Sequence, residues 1–237
     1  MDDAELLPLA GTTAPVRWRR SARARRVSLR IDPAAGGVVV TLPPGVGRAR
    51  GIALLQAHAA WVAERLARLP GAVALADRAV VPVHGRPHRV RLVPGERGGA
   101  RLVRGGDAGE DEIHVSGAAE GVPRRVEALL RAEARRVLGA LAARKAAAIG
   151  VRPRRVVVKD TRTRWGSCTA DGTLMFCWRL VMAPPEVQDY VAAHEVAHLR
   201  HMDHGPAFWA LVAELSPHVR PATRWLRAEG AGLLRVA

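Results

Sequence analysis

At 237 residues the chain exceeds the ~150 residues of a typical domain, so one large domain, or a small unit followed by a main one, is expected. Apolar residues at 49% and charged residues at 25% are a globular balance that excludes collagenous or wholly disordered readings. The net charge of +15 is almost all arginine, because Lys145 and Lys159 are the only lysines. Guanidinium groups fork onto phosphates and carboxylates, although a compositional exchange of lysine for arginine gives the same charge without any partner.

No apolar run reaches the ~18 residues of a membrane span, and Met1-Asp2-Asp3 lacks the positive flank of a secretory signal. A cytoplasmic protein without membrane contact is the expectation. Cys168 and Cys177 are too few for a disulfide scaffold and read as reduced thiols.

Residues 1–15 show no period and read as a loose lead-in. Seven arginines then fall between Arg17 and Arg30, where Val27, Leu29 and Ile31 alternate with Ser28 and Arg30 as in a half-buried strand. A strand at Val38–Leu42 and a helix through Leu55, Ala59, Val62, Leu66 and Leu69 complete an Arg-rich ββα unit at 16–75. Further strands are expected at Ala79–Val83, His88–Val93 and Glu112–Val115, with Glu96–Gly109 as an exposed loop. A long helix follows at about Pro123–Ala148 with Val126, Leu130, Ala134, Val137 and Leu141 on one face. Arg155–Lys159 and Thr173–Cys177 read as two strands around the Asp171-Gly172 turn. Helices at Pro185–His201, Ala207–Leu215 and Ala222–Glu229 close a main domain at 76–237.

The chemistry concentrates in His194-Glu195-Val196-Ala197-His198, an H-E-x-x-H sequence on a predicted helix. Imidazoles at i and i+4 share one face and can reach a single metal ion at ~2.0–2.1 Å. Glu195 projects about 100° around the helix, within reach of a water on that metal. A catalytic zinc needs a third protein ligand. His204 is the best placed, because Gly205-Pro206 behind it marks a chain reversal; Glu214 and His201 are the alternatives. His201 is disfavoured because His194 to His201 spans about 10.5 Å of helix axis, too far for three ligands to converge. Metzincins share the ten-residue reach, but no methionine follows Met202 to make their turn.

Tyr190 to Trp209, preceded by Arg164-Trp165-Gly166-Ser167-Cys168 and Trp178-Arg179-Leu180, resembles the YgjP-like metallopeptidase family, relatives of the SprT-like proteins, over about residues 16–227. The resemblance implies an α+β, zincin-like domain with a small antiparallel sheet packed on the active-site helix. It also implies zinc at His194, His198 and His204, with Glu195 as general base. One departure is Cys177, where an asparagine is expected in relatives.

Arg162–Cys168 reads either as an edge strand lining the cleft or as a core anchor built on Trp165. In the first reading Arg164, Trp165, Ser167 and Arg179 contact substrate. Asp189 or a backbone carbonyl would orient a ligand histidine. Tyr190, Phe208, Trp209 and Trp225 read as core. The leading function is a zinc metallopeptidase acting on a peptide or protein, with nickel or manganese as other occupants. Two alternatives stand beside it: a nucleotide phosphohydrolase using Arg162, Arg164 and Arg179 as clamps, and an Arg-rich module docking on nucleic acid.

Overall fold

The computed structural model describes residues 4–93, 99–105 and 109–237, an α+β protein of two compact units, Met1–Gly71 and Ala72–Ala237. In the first unit β1 (Glu5–Leu9) and β2 (Thr12–Arg20) form an antiparallel hairpin. β3 (Ser28–Asp32) pairs antiparallel with β4 (Gly37–Leu42), which joins β2 in parallel, so the sheet order is β1-β2-β4-β3. α1 (Arg48–Ala57) and α2 (Ala59–Ala67) cover it, burying Leu55 and Val62 against Val16, Val38, Val40 and Leu42. The unit is thus larger than the expected ββα. Much of the lead-in is strand: Leu9 and Ala14 reach the core, although Pro8 and Pro15 interrupt the apolar alternation that would have announced them.

In the second unit β5 (Val80–Val83), β6 (Arg86–Val93), β7 (Ala100–Val103) and β8 (Glu112–Ser116) form a sheet of order β5-β6-β8-β7. β7 lies inside the segment read as an exposed loop; the rest of that segment includes residues 96–98 and 106–108, which lie outside the described residues. α3 (Val122–Ala148) buries Val126, Leu130, Ala134, Leu138 and Ala142. The expected stripe through Val137 and Leu141 is therefore shifted by one residue in the second half of the helix.

A second sheet has β9 (Arg155–Lys159), β10 (Gly166–Cys168) and β11 (Thr173–Cys177) in the order β10-β11-β9. β11 runs antiparallel to β10 and parallel to β9, so this sheet is mixed rather than antiparallel, and the Asp171-Gly172 turn joins β10 to β11. A short 3-10 turn (Trp178–Met182) leads into α4 (Pro185–Ala197), followed by α5 (Pro206–Leu215) and α6 (Val219–Leu233).

The entrance to α4 is pinned by the β5–β6 turn. His84 and Gly85 both take positive φ, 52° and 76°, the geometry that matches the twist of a tight hairpin. Their amides donate to the carbonyls of Val181 and Met182, and a Cβ on Gly85 would meet Pro184 at 3.0 Å. Gln188, 1% exposed, donates from Nε2 to the carbonyls of Val181 and Ala183. With its start fixed and its sides packed, α4 presents its last turn to the site as a rigid element.

Candidate metal centre

α4 is buried on nearly every side, from Val187 and Tyr190 through Ala197. His194 and Glu195 occupy its last turn, and His198 caps it with helical backbone (φ −64°, ψ −16°). The i and i+4 imidazoles therefore share one face as the spacing requires, although the helix ends at Ala197 rather than at His201. The chain then turns, and Pro206 starts α5 at a position where a missing N–H costs nothing. This reversal carries His204 back: its ring centroid lies 5.2 Å from that of His194 and 4.7 Å from that of His198.

The ligand-capable atoms of His194, His198 and His204 all fall within 4.8 Å of one another. Nε2 of His194 and Nε2 of His204 are 3.3 Å apart. Two nitrogens at ~2.0–2.1 Å from a tetrahedral zinc lie about 3.3–3.4 Å apart, so the spacing fits that ion. His198 Nδ1 donates to the carbonyl of His201 at 2.9 Å, which fixes its tautomer and leaves Nε2 as the free lone pair. Phe208, fully buried, forms the floor: it stacks on His198 at 4.5 Å and meets His204 and His194 at 4.7 and 4.9 Å.

Burial, reinforced by the two neighbouring imidazoles, pushes the His194 pKa down to about 4, and burial also lowers that of His198. Both rings are thus held neutral near pH 7, the state in which a nitrogen can donate to a cation. His194 Nδ1 is buried without a hydrogen-bond partner among the described residues. Asp189 does not supply one: its carboxylate sits 2.6 Å from Nζ of Lys145, which also donates to the Leu215 carbonyl. Of the two orienting groups considered from sequence, the structure brings a backbone carbonyl to His198 and leaves Asp189 in an ion pair.

Glu195 is 5% exposed, and burial pushes its carboxyl up to about 8 against the pull of the Arg164 guanidinium. β10 passes directly over it. A Cβ on Gly166 would lie 2.5 Å from both Cγ and Oε1 of Glu195, so only glycine permits this approach. β10 is an edge strand, paired through Gly166–Cys168 to β11 alone.

The residues named as substrate contacts separate in space. Arg164 is exposed beside Glu195, and Ser167 is half-buried within β10. Trp165 turns away onto α6, its Cζ2 3.1 Å from where a Cβ would stand on Gly230. Arg179 is 5% exposed and committed to the core: it donates to Asp160 at 2.5 Å and to the Val236 carbonyl at 3.1 Å, and lies over the Trp178 ring. The structure therefore does not bring Arg179 to the cleft. Cys177 is buried, and its thiol donates to the Thr161 carbonyl, anchoring the loop that precedes β10.

The alternative ligands also separate. Glu214 and His201 share a different surface depression, lined in addition by Ile149, Arg200 and Leu211. Two features escaped the sequence. Nothing in the sequence neighbours of Gly166 announces its contact with Glu195. Trp209, read as core, is 42% exposed, with its ring 5.8 Å from His194 and 6.0 Å from His204. It flanks the histidines because α5 needs only Phe208, Leu211 and Val212 for its buried face.

No described helix is long and apolar enough to cross a membrane. No curated protein and no solved structure matches the chain. A family model for the YgjP-like metallopeptidase domain matches residues 25–229, most of the sequence. The chain belongs to the YgjP-like metallopeptidase domain family.

Proposed function

We propose that the protein hydrolyses peptide bonds, with zinc held by the Nε2 atoms of His194, His198 and His204 and with Glu195 as the general base. The observation that carries this reading is the convergence of three imidazoles within 4.8 Å, those of His194 and His198 held neutral by burial, beside the buried carboxyl group of Glu195. When bound, zinc supplies a Lewis acid for the scissile carbonyl and lowers the pKa of a water toward ~7. The all-nitrogen donor set suits zinc or nickel better than manganese, magnesium or calcium.

The rest of the work falls to the chain. Glu195 accepts the proton of the attacking water on a carboxylate oxygen and returns it to the amide nitrogen of the leaving strand. Arg164 favours the charged form of that carboxylate. The free edge of β10 offers backbone groups to an extended peptide, and Trp209 offers a flat apolar surface to a side chain beside the scissile bond. The phosphohydrolase reading keeps the exposed Arg162 and Arg164 but loses Arg179 to the core.

The test is hydrolysis of an unfolded protein and of a nucleoside triphosphate panel by the zinc-loaded chain, with Glu195→Gln in parallel. The variant should keep its metal and lose about 10²–10⁴ in rate on the protein substrate. Phosphate release without any proteolysis would overturn the assignment.

A further inference from the structure

Some arginines of the first unit are engaged by its own groups. Arg17 faces Asp32, Arg48 is paired with Glu5, and Arg20 donates to the Val46 carbonyl. Arg25, Arg26 and Arg50 are exposed and make no ion pair among the described residues. These three line a cavity of 630 Å³ between the chain entering β3 and helix α1. A second cavity of 460 Å³ shares Arg26, Val27 and Leu54 with the first and extends it to His58 and Trp61. The two form one groove: three unpaired guanidinium groups toward one end, an apolar floor of Val27 and Leu54, and two planar rings at the other end. Among the described residues no carboxylate lines either part.

Trp61 stays 41% exposed although it is among the largest apolar side chains in the unit. It follows His58 by three residues at the start of α2, so both rings rise from one helix face. We propose that this groove binds single-stranded nucleic acid, with phosphates on Arg25, Arg26 and Arg50 and a base stacked on Trp61. A phosphodiester chain carries a charge at each nucleotide and a flat base beside it, the two features the groove offers together. An acidic peptide supplies the charge without the plane. The proposal concerns the first unit alone and stands independently of the hydrolytic activity.

A chain of charge +15 attracts any polyanion, so the experiment separates the groove from the bulk charge. Anisotropy of a labelled oligothymidine of about fifteen nucleotides is measured on the full chain at about 50 and 200 mM salt. Replacing Arg25, Arg26 and Arg50 together by glutamine should weaken binding at least about tenfold and reduce the log–log salt slope by about 2, at ~0.7 per phosphate contact. A control triple variant, Arg220, Arg224 and Arg227 to glutamine, removes the same charge from exposed positions of α6 and should bind within about twofold of wild type. Trp61→Leu should cost about tenfold with an unchanged salt slope, and Trp61→Phe should restore most of it. Equal losses in the two triple variants would overturn the proposal. So would full affinity in Trp61→Leu, or competition by polyglutamate as strong as that by an unlabelled oligonucleotide of equal charge.

Discussion

Replacing Gly166 by alanine tests how closely the fold holds its base. The new methyl carbon would stand 2.5 Å from Cγ and Oε1 of Glu195 and 2.7 Å from Cδ. Carbon atoms in contact prefer about 3.5–4.0 Å, so the carboxylate and β10 must separate by about 1 Å. The contacted atoms run from Cγ to Oε1 of a side chain on a helix packed on nearly all sides, so the Glu195 side chain or the three-residue edge strand moves while the backbone of α4 stays. Displacement of a reacting group by about 1 Å can cost about 10²-fold in rate. Gly166 is not among the positive-φ glycines, so alanine adds no backbone strain, and overpacking should cost about 1–3 kcal/mol of stability. The assay is steady-state hydrolysis of a labelled unfolded protein, with metal content measured on the same preparation. The expected result is kcat reduced about 10²-fold, KM within a few-fold and metal unchanged. Wild-type kcat in Gly166→Ala would refute the argument that this contact sets the position of Glu195. Loss of metal together with activity would refute it too, by showing a collapse of the whole site.

Arg179→Ala should lower stability by about 2–3 kcal/mol, read as a shift of the denaturation midpoint, because it strips the Val236 carbonyl of its donor and leaves Asp160 with the more distant Arg131 alone. Its KM should stay at the wild-type value, and a raised KM with unchanged stability would return Arg179 to the cleft. Lys145→Ala removes the buried cation 2.6 Å from the Asp189 carboxylate, leaving it only the exposed Arg144 at 3.6 Å, and should cost about 3 kcal/mol; Lys145→Met combined with Asp189→Leu should recover most of the loss. Full loss in the double variant would show that the pair itself, rather than the orphaned charge, stabilises the fold. Burial pushes the Cys168 thiol up to about 11, so at pH 8 only about one molecule in a thousand carries the thiolate. Alkylation of the native protein, followed by mass spectrometry, should run about two orders of magnitude slower than that of a free thiol and accelerate as pH rises toward 11. Complete labelling within the time a free thiol takes would contradict the burial argument.

The helix of the candidate metal centre was legible because its signal is chemical. His194, Glu195 and His198 keep their spacing whatever surrounds them, whereas α4 is buried on nearly all sides and so carries no amphipathic period. His204 was reachable through Gly205-Pro206, which turns the chain back toward the pair. Other elements left no local trace. β10 has three residues, too few to alternate, and its contact with Glu195 depends on a strand that returns from across a turn. β1 and the start of β2 were hidden by Pro8 and Pro15, which sit in strands that tolerate them near a sheet edge. The parallel pairing of β9 with β11 is set by long-range packing, which periodicity does not encode. Arg179 stands in the same motif as the site yet points into the core, because Asp160 and Trp178 hold it there.

The central claim is that three histidines, and no fourth or substituted residue, hold one metal ion. Elemental mass spectrometry on wild type and His204→Ala, purified in parallel without added metal or chelator, tests it most directly. The account predicts about one zinc per wild-type chain and its loss from the variant. Zinc retained in His204→Ala, or none in the wild type after incubation with zinc and desalting, would contradict it.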